Sequence, residues 1–381
     1  MISQGSSQPE KSRKDMALRV CVVGGIYDKP PSYRSKHAVT PETTLADGLA
    51  RLGMRVSTFG HRTFRIRKMD RGRWDIVHVH HFGRGAILAA AHAGWFPFVF
   101  TTHDSFRWHG LPVHWRRRLT DVYVLRHAHG IVALSSAEER FLARQFRLAN
   151  DEKVAVVPNG WDWSSYPAAA RSSAEPDHTL LFVGQLRRFK GLQFLIEALP
   201  LVRRRFPRVR LVVAYHVDAG LEDYRSLARR AGVAELITFA GPQSLAELAA
   251  LYSRSAVVVV PSLAECLCSV VTEAMYYGAA IVATDVGGVR EQLGACAGVI
   301  VPPADAKALA EAISQLLGDP ELRRQLGERA HAAAVERFSS EAMIQRHLDF
   351  YRAVRDRWQA EPAKRGLWSI GLQAAHALGL I

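Results

Sequence analysis

Cysteines, a leader-like segment and long apolar runs are scarce in this chain. Only four cysteines occur among its 381 residues, which excludes a small disulfide scaffold and favours a reducing compartment. The first fifteen residues, MISQGSSQPEKSRKD, contain none of the apolar core of a secretory signal. No uninterrupted apolar stretch reaches the ~20 residues that a membrane-spanning helix needs. We therefore expect a cytoplasmic protein.

What is present is an ordinary globular composition with a basic bias. Hydrophobic residues make up 48% of the chain and charged residues 23%, which excludes a fully disordered or fibrous protein. At about 150 residues per domain, the length predicts two to three domains. Fifty basic residues against 36 acidic ones give a net charge of +14.

The basic excess is concentrated in residues 51–120, which hold 13 basic and 3 acidic residues. Such a segment attracts an anionic partner: a membrane surface, a phosphorylated acceptor or nucleic acid. Aromatic residues are interleaved with the basic ones over 62–74, as in a nucleic-acid patch. No recognised nucleic-acid module accompanies them, so we expect no nucleic-acid partner.

Two series of strand-like runs alternate with helix-length amphipathic segments. The first series is ALRVCVVG, RVSTFG, DIVHVHH, FVFTTH and GIVALS, and the second is TLLFVG, VRLVVAY, LITFAG, AVVVVPS, AAIVATD and AGVIVPP. Residues 163–177, rich in Ser, Ala and Pro, separate the two series. Apolar strands spaced by helices predict an α/β protein with two Rossmann-like parallel sheets, each covered on both faces. A ligand is expected at the carboxyl ends of the strands.

The pattern also gives approximate boundaries. We expect a disordered tail over 1–15, a first Rossmann-like domain over 16–165, a linker over 166–177, a second Rossmann-like domain over 178–338, a C-terminal helix over 339–361 and an amphipathic tail over 362–381. Whether the C-terminal helix crosses back to the first domain stays open. Within the first domain, Thr40 is the expected N-cap of a helix that has Pro41 at its first position and stops at Gly53.

The segment 261–291 contains the strongest chemical signal. A buried strand ends at Pro261, Glu265 lies in the following loop, and a helix is predicted to start near Ser269 with Glu273 in its first turn or so. The N-terminus of a helix offers N–H groups and positive potential to a diphosphate. The two carboxylates could accept hydrogen bonds from hydroxyl groups beside it. Taken singly, Glu265 is more typical of a solvated loop charge, and Glu273 is more typical of a charge that complements the helix dipole.

A second signal lies in residues 180–199, LLFVGQLRRFKGLQFLIEAL. A buried strand ends at Gly184, and the loop after it carries Arg187, Arg188 and Lys190 before a helix begins. Basic groups at a strand end suit a leaving diphosphate, whose charge grows as its bond to the sugar breaks. A merely solubilising basic loop is the alternative.

Two other clusters are set aside. Cys266 and Cys268 form a Cys-x-Cys pair, but the two remaining cysteines do not supply a closed zinc site, so we expect small buried hydrophobic groups. His78 and His80 share one face of a predicted strand without a nearby carboxylate. We expect them to be buried or to line a crevice, and we expect no metal.

The order of the motifs resembles a known family. Segments similar to those of the retaining nucleotide-sugar glycosyltransferases of family 4, group 1, are VPNG (157–160), VGQLRRFKG, FAGPQSLAELAALY, VVPSLAECLCSVVTEAM, VATDVGGVRE and VIVPPADAKALAEAI. The same holds for HVH (78–80), TTHD (101–104) and ALSSAEERFL (133–142). The resemblance covers roughly residues 17 to 357. It implies the GT-B fold, in which two Rossmann-like, doubly wound parallel-sheet domains face each other across a cleft. The first domain would bind the acceptor and the second the donor.

The resemblance also implies residue roles. Glu273 matches the residue that binds the ribose hydroxyls, Glu265 the one that contacts the donor sugar, Lys190 the lysine on the diphosphate and His103 the histidine that reaches the sugar. His103, Glu265 and Lys190 are thus the expected catalytic residues.

The remaining predicted donor contacts come from short loops. Gly24 and Gly25 match glycines that let the backbone approach the donor, and Gly241 matches a loop position near the base. The other positions expected to line the nucleotide-sugar site are Gln185, Arg187, Arg188, Cys266, Leu267, Cys268 and Ser269. Departures from the family occur at Gln185, where an arginine is usual, and at Cys266 and Cys268, where glycines are usual.

The implied reaction is retaining transfer of a hexosyl-type group from a nucleotide diphosphate sugar to an acceptor hydroxyl. A UDP-sugar is preferred on family frequency alone, and no cofactor or metal is expected. The acceptor would be lipid-linked or anionic, in glycolipid, polysaccharide or other glycoconjugate synthesis. The basic 51–120 segment and the 364–381 tail, with its apolar residues at helical spacing, are compatible with peripheral contact with the inner membrane face. A tail that packs on its own domain or frays is the alternative, and it stays open. Two alternatives stay open: a degenerate GT-B scaffold or nucleotide-sugar-binding subunit, and a sugar-nucleotide epimerase.

Overall fold

The structure is a computed structural model that describes residues 17–32, 40–103, 115–146, 151–168, 178–216, 218 and 220–361. The expected tails over 1–15 and 362–381 lie outside these ranges, as does most of the expected linker. Within them the chain forms two six-stranded sheets with helices between successive strands.

The first sheet has the strand order β2-β1-β3-β4-β5-β6. Its strands are β1 (Arg19–Val23), β2 (Arg55–Phe59), β3 (Ile76–His80), β4 (Phe98–Thr101), β5 (Gly130–Ala133) and β6 (Val154–Val156). The connecting helices are α1 (Pro41–Arg51), α2 (Arg84–Ala91), α3 (Trp115–His127) and α4 (Ser136–Phe146). β1 pairs in parallel with both β2 and β3, so the strand order reverses between β1 and β3.

The second sheet has the order β12-β11-β10-β7-β8-β9. Its strands are β7 (Thr179–Val183), β8 (Arg210–Ala214), β9 (Ile237–Gly241), β10 (Val257–Val260), β11 (Ile281–Thr284) and β12 (Val299–Val301). Its helices are α5 (Leu192–Arg205), α6 (Leu221–Arg230), α7 (Leu245–Arg254), α8 (Ser269–Tyr276), α9 (Val289–Leu293), α10 (Ala306–Gly318) and α11 (Pro320–Arg337). The order reverses between β7 and β10, which pair in parallel. Such reversal points are where open α/β sheets bind ligands.

Alternating burial explains why the second sheet is covered on both sides. Leu180 and Phe182 of β7 pack in one apolar cluster, with residues of α5 and α10, whereas Leu181 packs in another with residues of α8 and α11. Successive side chains of a strand point to opposite faces, so a continuous apolar run serves two cores. The predicted class of two doubly wound parallel α/β sheets is confirmed.

The helix after β1 begins as the sequence predicts. Thr40 is the N-cap of α1, its hydroxyl oxygen accepts a hydrogen bond from the Thr43 N–H at 3.3 Å, and Pro41 occupies the first helical position. Gly53, just after the helix, has a φ of +82°. Side-chain capping satisfies N–H groups that have no partner within the helix.

The helix α12 (Ser340–Ala360) follows the second sheet in the chain. The described residues divide into two compact units: those within 1–100, 120–130 and 350–361 form the first, and those within 101–119 and 131–349 form the second. In the first unit the Tyr351 hydroxyl lies 2.6 Å from His78 Nδ1, and both side chains are fully buried. His80 is buried as well, so the expectation of buried strand histidines is confirmed.

Candidate active site

Two loops meet at the reversal point of the second sheet. Gly191, at the end of the loop after β7, has a φ of +74°, and a Cβ there would lie 1.7 Å from the carbonyl oxygen of Pro261. The Leu263 N–H donates to the Phe189 carbonyl at 2.7 Å. Only a glycine permits this approach with this backbone conformation. The contact brings the loop after β7 against the loop after β10.

This approach places Lys190 beside Glu265. Lys190 Nζ lies 2.6 Å from Glu265 Oε1, and the Ser262 hydroxyl donates to the same oxygen at 2.7 Å. The lysine side chain is 21% exposed and the glutamate side chain 9%. Burial lowers the pKa of Lys190, but the charge of Glu265 and its hydrogen bond outweigh burial, so the net shift is upward. The lysine is therefore held charged at the strand ends.

Two adjacent glycines shape the backbone of Glu265 and Cys266. Gly287 has a φ of +52°, and an added Cβ would lie 1.7 Å from the Glu265 carbonyl oxygen. The Gly288 N–H donates to the Cys266 carbonyl at 3.0 Å. The pair Gly287–Gly288 was not among the predicted site residues. Its signal in the sequence is a double glycine between a buried strand and a helix.

The two cysteines of this loop are buried, as expected for small hydrophobic groups. Cys266 is 5% and Cys268 2% exposed, and both are free thiols. Burial raises the pKa of Cys268 to about 12, so the thiol is neutral near pH 7. The buried Gln292 amide binds the backbone of Cys268 from both sides, accepting from its N–H and donating to its carbonyl, each at 2.9 Å.

The helix α8 starts where the sequence predicts, at the exposed Ser269, with Cys268 as its N-cap. Leu267, the predicted donor contact before it, is partly exposed. Glu273 is the fifth residue of α8 and lies just past its first turn. The helix begins no earlier because the preceding residues extend along the loop that Gln292 fixes.

Tyrosines, not cations, surround the Glu273 carboxylate. The Tyr252 hydroxyl of α7 donates to Glu273 Oε2 at 2.9 Å. Burial raises the pKa of Glu273 from 4.5 to about 7, and the bond from Tyr252 opposes that rise. The charge of Glu273 in turn adds to burial in raising the pKa values of Tyr166 and Tyr277. The carboxylate is thus poised to change charge near neutral pH.

The other predicted residues of the second sheet lie at its strand ends. Arg187 and Arg188 are exposed, and Gln185 is partly buried just after β7. Within the described ranges, neither guanidinium forms an ion pair. Gly241 ends β9 with a φ of +71°, and an added Cβ would meet nothing within 4 Å.

The first sheet has its own strand-end cluster. Gly24 follows β1, and a Cβ there would lie 2.9 Å from Cγ of Glu42, whereas Gly25 faces open space. The buried Glu42 carboxylate lies 3.2 Å from His81 Nε2, just after β3. Glu42 was not predicted, because an acid in a first helical turn is ordinarily a solvated complement to the dipole.

His103 follows β4 by two residues and is partly buried. Its φ of +48° is in the left-handed region, as is that of His81 at +66°. Such conformations are uncommon for non-glycine residues and cluster at functional sites. Both histidines therefore occupy strained backbone positions beyond strand ends.

The matches to family sequence profiles decide the family. The profile of "Glycosyl transferases group 1" matches residues 168–333, and that of "Glycosyltransferase Family 4" matches residues 55–164. The chain belongs to the group 1, family 4 glycosyltransferases. It is therefore a transferase enzyme, and the predicted family and enzyme class are confirmed.

Curated relatives agree with this assignment. The D-inositol 3-phosphate glycosyltransferase of Frankia alni is 31% identical over 279 residues, which cover 67% of this chain and 68% of the relative. The protein of the same name from Geodermatophilus obscurus is 30% identical over 332 residues, covering 81% of this chain and 72% of the relative.

Solved structures share the fold at lower identity. Sucrose-phosphate synthase from Thermosynechococcus elongatus has a TM-score of 0.70 and 21% identity, covering 88% of this chain and 98% of that chain. Anabaena HepE in complex with UDP-glucose has a TM-score of 0.64 and 19% identity, over 87% and 98% of the two chains. The glycosyltransferase is thus a GT-B protein, as predicted.

The described residues contain no group of three or more His, Cys, Asp or Glu side chains arranged to hold a metal ion. Among the same residues, no helix combines the length and apolar character needed to cross a membrane.

Proposed function

We propose that this glycosyltransferase moves a hexosyl-type group from a UDP-sugar to an acceptor hydroxyl with retention of the anomeric configuration. The observation that carries the proposal is the Lys190–Glu265 pair, 2.6 Å apart at the reversal point of the second sheet. A buried pair of this kind offers a cation to a diphosphate and a carboxylate to sugar hydroxyls. It needs no bound cofactor or metal to do so.

The diphosphate would lie against Lys190 and the start of α8. Negative charge grows on it as the C1–O bond breaks, and preorganised positive groups stabilise that charge most. The exposed Arg187 and Arg188 supply further charge from the same loop. They would compensate for Gln185, which stands where the family usually has arginine. Backbone from Cys266 to Ser269 completes the proposed diphosphate surface, since both cysteine side chains are buried away from solvent.

The two glutamates would hold the donor on either side of the diphosphate. Lys190 and Ser262 both bind Oε1 of Glu265. Among the described residues, no group bonds to Oε2 of Glu265. This second oxygen would accept hydrogen bonds from the donor-sugar hydroxyls. Glu273 would accept from the ribose hydroxyls. His103, Gly24 and Gly25 would approach the donor sugar, and Gly241 the base.

The transfer needs no reactant besides the UDP-sugar and the acceptor. The acceptor oxygen forms its bond to C1 on the face from which the diphosphate departs. The acceptor proton passes to the departing phosphate oxygen, so the products are the glycosylated acceptor and UDP. Retention follows because attack and departure share one face.

The proposed acceptor is an anionic or lipid-linked hydroxyl compound, as in the synthesis of glycolipids, polysaccharides or other glycoconjugates. The basic 51–120 segment supports an anionic partner. The relatives are named for D-inositol 3-phosphate, itself a phosphorylated polyol.

A cytoplasmic location at the inner membrane face fits the basic charge of the 51–120 segment. Co-sedimentation with anionic vesicles should weaken at high salt and on deletion of 364–381; sedimentation unchanged by both would contradict the membrane proposal.

Turnover of UDP-glucose tests the reaction. The parent should release UDP and form an α-linked product from the α-donor, seen by NMR of the anomeric proton. Glu265→Ala should abolish this signal, whereas Glu311→Ala, an exposed glutamate on α10, should not change it. An epimerised sugar nucleotide would instead identify an epimerase. UDP binding without turnover across UDP-sugars and acceptors would identify a binding subunit.

A further inference from the structure

Glu273 is a half-buried residue whose carboxylate lies among tyrosines. Among the residues the structure describes, no lysine, arginine or histidine forms an ion pair with it. The titratable groups that face it are Tyr252 of α7, Tyr166 at the start of the expected linker and Tyr277 after α8. A carboxylate in such surroundings depends on hydrogen bonds to stay ionised.

Tyr252 supplies that hydrogen bond from a fixed position. Its side chain is 1% exposed, and its ring stacks on Tyr277 with centroids 5.5 Å apart and planes inclined by 14°. The hydroxyl donates to Glu273 Oε2 at 2.9 Å. Because a packed ring has little freedom, the donor direction is set before any ligand arrives.

We propose that Tyr252 is a positioning residue: the hydrogen bond from its packed ring orients the Glu273 carboxylate so that it can accept hydrogen bonds from the ribose hydroxyls of the donor. The inference rests on the proposed function, since it assigns a helper to the same nucleotide site. With Oε2 bonded to Tyr252, Oε1 is the oxygen that would accept from the ribose hydroxyls.

Loss of the Tyr252 hydroxyl would have two effects on Glu273. The carboxylate would lose its orientation, and its pKa would rise, since the bond now opposes the upward shift that burial causes. A protonated Glu273 is a poorer acceptor for two hydroxyls. Nucleotide affinity should therefore fall as the pH drops, and in Tyr252→Phe this fall should begin at a higher pH.

The test compares two tyrosine-to-phenylalanine variants. Tyr252→Phe removes the bonded hydroxyl, whereas Tyr224→Phe removes a buried hydroxyl that bonds to no described group. Binding of UDP and of uridine is measured by calorimetry from about pH 6 to about pH 9. Uridine has no phosphate whose own titration would overlap with that of Glu273.

At pH 7 we expect Tyr252→Phe to bind both ligands about tenfold more weakly than the parent, a loss typical of a hydrogen bond to a charged group. The part of the loss that comes from protonation of Glu273 should be recovered at about pH 8.5, where more of the carboxylate is ionised, whereas the part that comes from lost orientation should remain. Tyr224→Phe should remain within about twofold of the parent. In turnover, Tyr252→Phe should raise KM for UDP-glucose with kcat little changed.

Three results would overturn the inference. One is parent-like affinity and pH dependence in Tyr252→Phe while the parent binds UDP, which would leave the proposed function intact. Another is an equal, pH-independent loss in both variants, which would assign Tyr252 a purely structural role. A parent that binds neither ligand would contradict the proposed function itself, and with it this inference.

Discussion

Two glutamates of one motif, eight positions apart, lie in opposite electrostatic surroundings. In the loop after β10, Glu265 accepts from a lysine and a serine. On α8, Glu273 accepts from a tyrosine, and burial raises its pKa to about 7. The neighbours, rather than the residue type, decide what each carboxylate can do. The cation beside Glu265 suits a phosphate site, and the tyrosines around Glu273 suit an uncharged group such as a ribose.

Lys190→Met should give the largest effect, because it removes the cation from the Glu265 region. The diphosphate would lose its closest charge, and a 9% exposed carboxylate would lose its partner. We expect kcat/KM for transfer to fall by about 100-fold or more. Steady-state kinetics measure this, with the exposed Lys307→Met of α10 as control. If Lys190→Met kept more than about a tenth of the parent's kcat/KM, Lys190 would have no essential part in the reaction.

Gly287→Ala should distort the Glu265 region from the backbone side. Its Cβ would lie 1.7 Å from the Glu265 carbonyl oxygen, at a φ of +52°. Gly232→Ala is the matched control, because its φ is +66° and nothing lies within 4 Å. Urea unfolding should show a loss of about 1–2 kcal/mol for the control and clearly more for Gly287→Ala. Equal losses of stability in the two variants would mean that the loop containing Glu265 accommodates the added Cβ at no cost in free energy.

Glu273→Gln should produce the smallest change, a difference in how stability depends on pH. Because its pKa is about 7 when folded against 4.5 ordinarily, the folded state holds a proton that the unfolded state releases between those values. The free energy of unfolding therefore falls as pH rises from about 4.5 to about 7. The variant should lack this fall. Its free energy of unfolding should therefore increase relative to that of the parent as the pH rises from about 4.5 to about 7. Parallel thermal midpoints for the two proteins across it would contradict the raised pKa.

The contrast between the two glutamates also shows what the sequence could predict. Strand runs and helix spacing predicted both sheets except for β6 (Val154–Val156), which no predicted run covers. Glu265, Lys190 and Glu273 could be singled out because they follow predicted strand ends or lie just inside a helix. The N-cap at Thr40 likewise depends only on neighbouring residues.

The sequence alone could not predict contacts between residues that are far apart in the chain. Tyr252 precedes Glu273 by 21 residues, and its donated bond depends on how α7 packs against α8. Gly287 matters because of a carbonyl 22 positions earlier in the chain. Glu42 and His81 are 39 residues apart and meet only because β1 and β3 are neighbours. Such partners are set by the strand order, which the sequence pattern alone does not give.

The central claim is that a nucleotide diphosphate binds at the strand ends of the second sheet, with its ribose on Glu273. A thermal-shift panel of UDP, GDP, ADP and TDP on the parent and on Glu273→Ala tests it most directly. One nucleotide, UDP in this account, should stabilise the parent by about 2.7 kcal/mol at ~100 times its Kd and the variant much less. No shift with any of the four, or equal shifts in parent and variant, would contradict the claim.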